Sequence, residues 1–244
     1  MPDPGITSPG SHLPVIVHMS GVNFVWPSGR GFGISIKDFS LGKGSKTLLV
    51  GPSGGGKSTL LSLLCGIIAP DEGRIEILNT DIVNLSNAAR DRFRAEHIGV
   101  IFQMFNLLPY GSVIDNVLLP LSFAQQRRER VGSGASQTGE AERILSTLGL
   151  DDALFRGPAA ALSVGQQQRV AAARALIGMP ELVIADEPTS ALDHEHQERF
   201  LDLLFSQMEK AKTTLLMVSH DRRIGPMFDQ VLELGDVMTV QEQA

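Results

Sequence analysis

The sequence predicts an α/β fold in which a mainly parallel sheet is covered by helices, and three stretches carry this prediction. Residues 47–50 form an apolar run that is followed by a glycine-rich loop and then by leucines at helical spacing. Two further apolar runs, residues 182–185 and 213–218, are bounded by polar residues and separated by a stretch with helical periodicity. Short, continuous apolar runs suit strands that are buried on both faces, and their alternation with helices predicts parallel pairing.

The first part of the chain predicts a tail and then a small antiparallel sheet. Residues 1–14 are rich in proline, glycine and serine, so we expect a flexible tail there. Residues 15–26 and 33–39 contain apolar and β-branched stretches, and residues 74–78 alternate polar with apolar side chains. We expect these strands to lie beside a bound ligand, within one domain that spans residues 15–244.

The middle of the chain predicts a helical subdomain inserted into the α/β core. Residues 86–96 are polar and predict a short surface helix, and residues 98–102 predict a buried strand. From about residue 104 to residue 161 apolar side chains recur at helical spacing, as in Val113, Val117 and Leu121. Inside this insertion, residues 125–139 are hydrophilic and predict a solvated helix end and loop, with a specific basic site as the alternative.

The composition limits the class of protein. With 244 residues and 43% hydrophobic content, the chain is long and apolar enough for a sizeable core. The formal net charge of −6 argues against nucleic-acid binding that is independent of sequence, which requires a basic face. The start lacks a basic, apolar secretory signal, and no unbroken apolar run reaches about 18 residues, so we expect neither a signal peptide nor a transmembrane helix.

The glycine-rich loop predicts a phosphate-binding site. It follows a predicted strand, precedes a predicted helix and fits the pattern G-x-x-x-x-G-K-[ST]. Glycines let successive backbone N–H groups surround an anion, and the N-terminus of the helix adds its positive dipole end. A glycine- and serine-rich turn without a ligand is the alternative, but all four fixed positions are filled. We therefore expect ATP to bind through Gly51, Pro52, Ser53, Gly54, Gly55, Gly56, Lys57, Ser58 and Thr59.

Two of these side chains and an acidic pair predict the reacting centre. Lys57 is expected to reach the β- and γ-phosphates, and the Ser58 hydroxyl is expected to ligate Mg²⁺. Asp186 and Glu187 follow the predicted strand of residues 182–185. A carboxylate at the end of a neighbouring strand suits Mg²⁺, and a second one can polarise the attacking water. We assign Asp186 to the metal and Glu187 to the general base; two acidic residues at a strand end before Pro188 are the alternative.

The order of the short motifs resembles that of the ATP-binding-cassette (ABC) ATPase domain over about residues 15–236. The motifs are, in order, the phosphate loop, Gln103, residues 163–166, residues 186–188, residues 190–193 and His220. The resemblance implies a head-to-tail dimer, either a homodimer or a pair with another ATPase subunit, that encloses two nucleotides. Each nucleotide would be held by the phosphate loop of one subunit and by Ser163, Gly165 and Gln166 of the other.

The resemblance also implies roles for single residues. Gln103 would contact Mg²⁺ or the attacking water, and Asp193 would reach the phosphate loop of the partner. His220 would contact the γ-phosphate and orient Glu187; a polar loop residue is the alternative. Trp26 lies where the family stacks an aromatic ring on adenine, and a core position is its alternative.

The segment of residues 163–166 can be interpreted physically. Ser163 is a good N-cap for a helix that continues through residues 169–176, so its N–H groups can face a γ-phosphate across an interface. Val164 departs from the family pattern, in which glycine is usual. A β-branched side chain is stiffer and could crowd the nucleotide.

The resemblance further implies a membrane partner. Residues 103–110 would lie at the groove that receives a short helix from an integral membrane permease, and residues 102–109 and 115–121 look most like the lipoprotein-release and macrolide-efflux branch. We therefore expect a cytoplasmic ATPase subunit, peripheral on the inner face of the membrane, with no nucleic-acid partner. The rival hypotheses are a soluble cassette ATPase that acts on DNA or ribosomes, and a phosphate-loop kinase, which would not need residues 163–166 or Asp193.

Overall fold

A computed structural model describes residues 13–27, 32–190 and 192–242, and these residues form two five-stranded sheets with helices. Most of the predicted flexible tail, residues 1–12, lies outside the described residues. The predicted fold class is confirmed, because a parallel sheet, an antiparallel sheet and an inserted helical segment are all present.

The central sheet is parallel throughout and has the strand order β6-β7-β8-β3-β9. Its strands are β3 (Lys46–Val50), β6 (Ile98–Ile101), β7 (Leu182–Asp186), β8 (Thr214–Ser219) and β9 (Gln230–Glu233). All residues of β8 are buried, as a continuous apolar run predicts for a central strand. Strand β9 was not predicted, because it is an edge strand whose exposed and half-buried residues give no such run.

Strands β3, β7 and β8 each supply both hydrophobic layers. Leu215 and Met217 on β8 belong to one core cluster, and Leu216 and Val218 belong to the other. Successive side chains of a strand point to opposite faces, so the parallel sheet forms the middle layer of the molecule.

The second sheet is antiparallel and covers one face of the first. It has the order β10-β2-β1-β4-β5, built from β1 (Val15–Val25), β2 (Phe32–Gly42), β4 (Glu72–Ile77), β5 (Thr80–Asp81) and β10 (Thr239–Glu242). Its inward side chains, among them Met19, Ile36 and Ile75, share a core cluster with Leu60 and Leu64 of the first helix. The first helix is therefore held between the two sheets.

The helices cover the remaining surfaces. They are α1 (Lys57–Leu64), α2 (Asn87–His97), α3 (Val113–Leu118), α4 (Gln125–Val131), α5 (Ala135–Thr147), α6 (Val164–Leu176), α7 (His194–Ala211) and α8 (Leu234–Val237). Residues 104–161 contain α3, α4, α5 and short 3-10 turns, with one isolated bridge between Ser112 and Pro158. Among the described helices, none combines the length and the apolar character needed to cross a bilayer.

The prediction of a solvated segment over residues 125–139 is wrong for Arg127. Its side chain is buried, with 2% exposed, and its guanidinium donates to the carbonyl oxygens of Ile177 and Ala175 at 2.9 Å each. Glu96, which we expected on a surface helix, is also buried and accepts from the backbone N–H groups of Gln125 at 2.7 Å and Gln126 at 3.0 Å. A buried charge is tolerated where backbone groups satisfy it, and local sequence cannot show those partners.

Candidate functional site

The glycine-rich loop forms a cradle between β3 and α1. Gly54 and Gly56 have φ values of 78° and 92°, in the left-handed region that favours glycine. A Cβ on Gly56 would lie 2.5 Å from Met238 Cε, so another residue there would also have to displace the end of the Met238 side chain. The backbone therefore approaches the site without side chains, and the N-terminus of α1 points its free N–H groups at any anion held there.

Lys57 brings a cation to the floor of this cradle. The side chain is buried, and its Nζ donates to the carbonyl oxygens of Gly51 at 2.8 Å and Pro52 at 3.1 Å. These contacts hold the ammonium group inside the curve of the loop. A buried cation beside free N–H groups is suited to phosphate.

A cavity of about 380 Å³ collects most of the predicted phosphate and metal residues. It is lined by Phe32, Ser53, Gly54, Gly56, Lys57, Ser58, Thr59, Gln103, Asp186 and Glu187. Parallel strands bring their carboxyl ends to one edge of the sheet, which explains why residues far apart in sequence meet here. Phe32 was not predicted as a site residue, since an apolar residue at a strand start gives no signal for a ligand.

Trp26 lies beside this cavity, whose described lining does not include it. Its indole Nε1 donates to Thr59 Oγ1 at 3.1 Å, and its ring meets Phe24 edge-on with 5.1 Å between ring centroids. The side chain stays partly exposed, at 37%. Trp26 is thus tied to the last residue of the phosphate loop.

Oxygen atoms suited to a magnesium ion lie together in the cavity. Ser58 Oγ donates to Asp186 Oδ2 at 3.3 Å, and Gln103 is among the residues that line the same cavity. Burial raises the pKa of Asp186, with Glu187 adding to the rise, while the Ser58 hydrogen bond opposes it. A hydroxyl, a carboxylate and an amide beside a phosphate cradle are the hard donors that Mg²⁺ prefers, so the residues present fit this ion.

Glu187 is fixed by two partners and a constrained backbone. Its Oε1 lies 3.1 Å from Lys57 Nζ, and its Oε2 lies 2.8 Å from Nδ1 of His220. Its φ of 44° is unusual for a residue other than glycine, and its N–H donates to Val218 O at 2.9 Å. Such strained positions persist where the surroundings over-determine them and often occur at active sites. The arrangement gives one carboxylate a defined direction into the cavity.

Ser163, Gly165 and Gln166 do not meet the phosphate cavity in this chain. They line a separate cavity of about 190 Å³ beside Leu192 and His196. Ser163 caps α6 as predicted: its Oγ accepts from Gln166 N at 3.4 Å, and Gln166 Oε1 accepts from Ser163 N at 2.9 Å. Val164, the first residue of the helix, is half exposed. The N-terminus of α6 thus faces outward with its cap intact.

Asp193 caps the next long helix, α7. Its Oδ1 accepts from His196 N at 3.0 Å, and this backbone hydrogen bond holds the pKa of Asp193 below its ordinary value. The side chain is exposed, at 69%. The structure therefore leaves Asp193 on the surface, outside the lining of the phosphate cavity.

A cavity of about 620 Å³ lies elsewhere and is open and mainly apolar. Phe102 lines it, whereas none of residues 103–110, all of which are described, does so. Exposed or half-exposed apolar side chains border it, namely Ile67, Val100, Phe102, Leu119 and Phe123, together with charged Asp91, Arg92 and Arg94. We call this surface the apolar groove.

Comparison with known proteins agrees with this geometry. The sequence profile of the family described as "ABC transporter" matches residues 35–190. The chain is 36% identical over 205 residues to the lipoprotein-releasing system ATP-binding protein LolD of Porphyromonas gingivalis, covering 84% of this chain and 90% of that protein. It is 41% identical over 202 residues to YbbA of Escherichia coli K12, an uncharacterized ABC transporter ATP-binding protein, covering 83% and 85%.

Solved structures give the same result. The chain resembles the dimeric, post-hydrolysis structure of the ATP-binding cassette MJ0796 bound to ADP and Pi, with a TM-score of 0.80 and 32% identity over 93% of this chain and 98% of that one. The cbiO1 protein of Clostridium perfringens, part of the ABC transporter complex cbiONQ, matches with a TM-score of 0.74 and 27% identity over 90% and 84%. Together with the phosphate cradle and its acidic pair, these matches show that the chain belongs to the ABC transporter family, as an ATP-binding and ATP-hydrolysing subunit.

Proposed function

We propose that this chain closes with a second copy around two Mg·ATP and uses their hydrolysis to move a membrane permease of the lipoprotein-release type. The observation that carries the dimer is the division of the site. The phosphate cradle and Glu187 share one cavity, whereas Ser163 and Gln166 line another. A second copy in head-to-tail orientation brings the missing half to each nucleotide, and the dimeric MJ0796 cassette supports this arrangement.

The cradle binds and orients the triphosphate. Backbone N–H groups of the glycine-rich loop and the N-terminus of α1 hold the phosphate oxygens, and Lys57 neutralises their charge. Magnesium, held by Ser58, Asp186 and Gln103, would supply further positive charge at the β- and γ-phosphates. Binding in this polar pocket leaves the terminal phosphorus facing Glu187.

Glu187 acts as the general base. Its carboxylate orients a water molecule, and accepts its proton as the water oxygen bonds to the terminal phosphorus and the bond to ADP breaks. His220, 2.8 Å from Oε2, keeps the carboxylate directed into the cavity. Lys57 Nζ lies 3.1 Å from Glu187 Oε1. The cation that binds the terminal phosphate and the general base that activates water are therefore neighbours.

The trans half of the site senses the terminal phosphate. The capped N-terminus of α6 presents N–H groups and the positive end of its dipole to the γ-phosphate of the nucleotide on the other copy. Asp193 contacts the phosphate loop of that copy. Loss of the γ-phosphate removes an anion from this contact, which couples hydrolysis to opening of the dimer.

The permease docks in the apolar groove. An amphipathic helix fits such a surface by burying its apolar side chains against residues such as Phe102 and Phe123. The similarity to LolD supports the lipoprotein-release branch, and a permease partner places the chain at the inner face of the membrane, in the cytoplasm. The acidic net charge of −6 argues against a DNA-bound rival function.

Replacement of the general base tests the dimer. Glu187→Gln should bind ATP, hydrolyse it at least about 100-fold more slowly, and shift from monomer to dimer with Mg·ATP, as measured by light scattering. Glu129→Gln, which changes an exposed glutamate on α4, should hydrolyse ATP like the parent and accumulate no dimer. A Glu187→Gln monomer with ATP demonstrably bound would contradict the nucleotide-enclosing dimer, and normal turnover would remove Glu187 from its role.

A further inference from the structure

Arg174, near the end of α6, is a buried cation without a charged partner. Only 8% of the residue is exposed, and no ion pair joins it to a carboxylate in the part of the chain that the structure describes. Burial alone lowers the pKa of its guanidinium. Its side chain instead donates to two backbone oxygens, those of Phe105 and Asn106, the latter at 2.7 Å. A charge buried in this way stabilises the backbone that satisfies it.

Those two oxygens belong to a strained turn. Phe105 and Asn106 have φ values of 59° and 49°, so two consecutive residues other than glycine are left-handed. Such conformations are sparsely populated and persist only where the surroundings hold them. The Phe105 N–H closes the turn onto Phe102 O at 2.9 Å, and the Phe105 side chain is buried in the core. Gln103 lies inside this turn.

The end of α6 also fixes the strand that leads into the turn. A Cβ on Gly99 would lie 2.3 Å from the carbonyl oxygen of Ala175, so β6 and α6 pack backbone to backbone there. Ala175 and Arg174 are adjacent on the helix. The same helical turn therefore contacts the chain before Gln103, at Gly99, and after it, at Phe105 and Asn106.

We propose that Arg174 is a positioning residue that holds the Phe105–Asn106 turn in its left-handed form and thereby keeps Gln103 directed at the phosphate cavity. The inference rests on the role of Gln103 in the proposed function. Because α6 also carries Ser163 at its other end, about 17 Å from Arg174 at 1.5 Å per residue, the helix joins the trans contact of one nucleotide to the Gln103 turn of another.

Arg174→Lys tests the inference against a matched control, a half-buried arginine on α2 that also donates to backbone oxygens. Lysine keeps the charge but cannot donate to two oxygens in a fixed fork. We expect kcat for ATP to fall about 10- to 100-fold, since small displacements of catalytic groups have effects of this size, while the affinity for a fluorescent ATP analogue changes less than about 3-fold. Arg90→Lys, on α2, removes a guanidinium that likewise donates to backbone oxygens, among them those of Ile82 at 3.0 Å and Leu85 at 3.1 Å, and should retain turnover within about 3-fold.

Hydrogen exchange of residues 102–106 gives a readout independent of turnover. Arg174→Lys should accelerate amide exchange in this turn by at least about 10-fold and leave the first turn of α6 unchanged, whereas Arg90→Lys should leave the turn protected. Equal exchange in both variants, or equal turnover, would overturn the role of Arg174.

A second pair of variants reaches the same turn without changing a buried charge. Asn106 is exposed, so substitutions there spare the core. Asn106→Val, with a β-branched side chain that disfavours positive φ, should reproduce the loss of turnover and the faster exchange. Asn106→Gly, which accepts positive φ, should stay close to the parent. Equal turnover and equal exchange in Asn106→Val and Asn106→Gly would overturn the importance of the turn, even if Arg174→Lys fails to fold.

A double variant with Gln103→Ala distinguishes the role of Gln103 in the proposed function from the role of Arg174. If Arg174 acts through Gln103, adding Arg174→Lys to Gln103→Ala should cost less than about 3-fold more, although each change alone costs much more. Parent-like turnover of Gln103→Ala would refute the role of Gln103 in the proposed function, and the inference with it. If Gln103→Ala loses turnover while Arg174→Lys hydrolyses ATP like the parent, only the positioning role of Arg174 is refuted.

Discussion

Asp186 and Glu187 are adjacent in sequence but have different partners. Asp186 is the last residue of β7 and accepts from the Ser58 hydroxyl, whereas Glu187 has left the strand with a left-handed backbone and contacts Lys57 and His220. Because the backbone changes direction at Glu187, the carboxylate of Asp186 faces the hydroxyl of Ser58 and the carboxylate of Glu187 faces Lys57. Different surroundings, and not residue type, give them different chemistry.

The raised pKa of Asp186 predicts a pH-dependent stability. The folded state binds this proton more tightly than the unfolded chain, so the cost of the charged carboxylate is complete above the raised pKa and disappears as pH falls below the ordinary one. Asp186→Asn should therefore be more stable than the parent at pH 7, by about 1 kcal/mol or less because the site is partly solvated. Urea unfolding of both proteins between pH 7.5 and 4 should show the difference shrink toward acid.

Asp193→Asn supplies a control of opposite sign. The pKa of Asp193 is lowered by the hydrogen bond from His196 N, so its charged form stabilises the fold at neutral pH. Asp193→Asn should be less stable than the parent at pH 7, and the difference in free energy of unfolding should shrink as the pH falls. If the stability difference between Asp186→Asn and the parent stays constant with pH, the raised pKa of Asp186 is not its cause.

At the scale of the element, α6 combines three tasks along one helix. A capping box orders its exposed start, its middle packs in the core, and its end holds the Gln103 turn through Arg174. Helix α3 begins with a similar capping box, formed by Ser112 and Asp115. Two equivalent caps in one chain allow the stabilising effect of a cap to be separated from a role in nucleotide binding.

Ser163→Ala and Ser112→Ala should each lower stability by about 1 kcal/mol, or about 2–4 °C in melting temperature, because each loses one N-cap. In the Glu187→Gln background, however, Ser163→Ala should abolish the Mg·ATP-dependent dimer, and Ser112→Ala should retain it. Thermal unfolding and light scattering measure the two effects. Retention of the dimer by both variants would mean that the start of α6 does not contact nucleotide.

At the scale of the whole molecule, the apolar groove is made by elements that are distant in the chain. Ile67 follows α1, Phe102 follows β6, and Phe123 follows the 3-10 turn Leu119–Ser122. Buried Arg127 fastens its wall by donating to the carbonyl oxygens at the end of α6. The groove therefore exists only when the inserted helices are packed on the core.

Phe123→Asp and Tyr110→Asp distinguish this groove from the neighbouring segment of residues 103–110. Both side chains are exposed aromatics, at 69% and 84%, so neither change should disturb folding. If the permease docks in the groove, Phe123→Asp should lower the affinity for membranes of the source organism by at least about 10-fold, as measured by co-sedimentation. The reason is that burial of such a side chain contributes about 1.5–3 kcal/mol. Tyr110→Asp should bind like the parent. The reverse result would move the docking site to residues 103–110.

Several strands and the phosphate loop were predictable from the sequence because their signals are local. Continuous apolar runs identified β7 and β8, alternation identified β4, and the glycines identified the loop, each within a few residues. Strands β9 and β10 were missed, since edge strands with exposed residues have no such pattern. Phe32 in the phosphate cavity and Arg127 in the core were missed for a related reason: their surroundings come from distant parts of the chain.

The sequence by itself determined the class of fold, the family and the residues available for chemistry, because strand, loop and helix signals depend on neighbouring side chains. Only the tertiary structure decided which of those residues share a cavity. It joined Ser58 to Asp186 and Glu187 to His220, kept Ser163 and Asp193 outside, and tied Arg174 to the Gln103 turn. The physical reason is that hydrogen bonds and burial depend on distances in space, which are set by how sheets and helices pack over the whole chain.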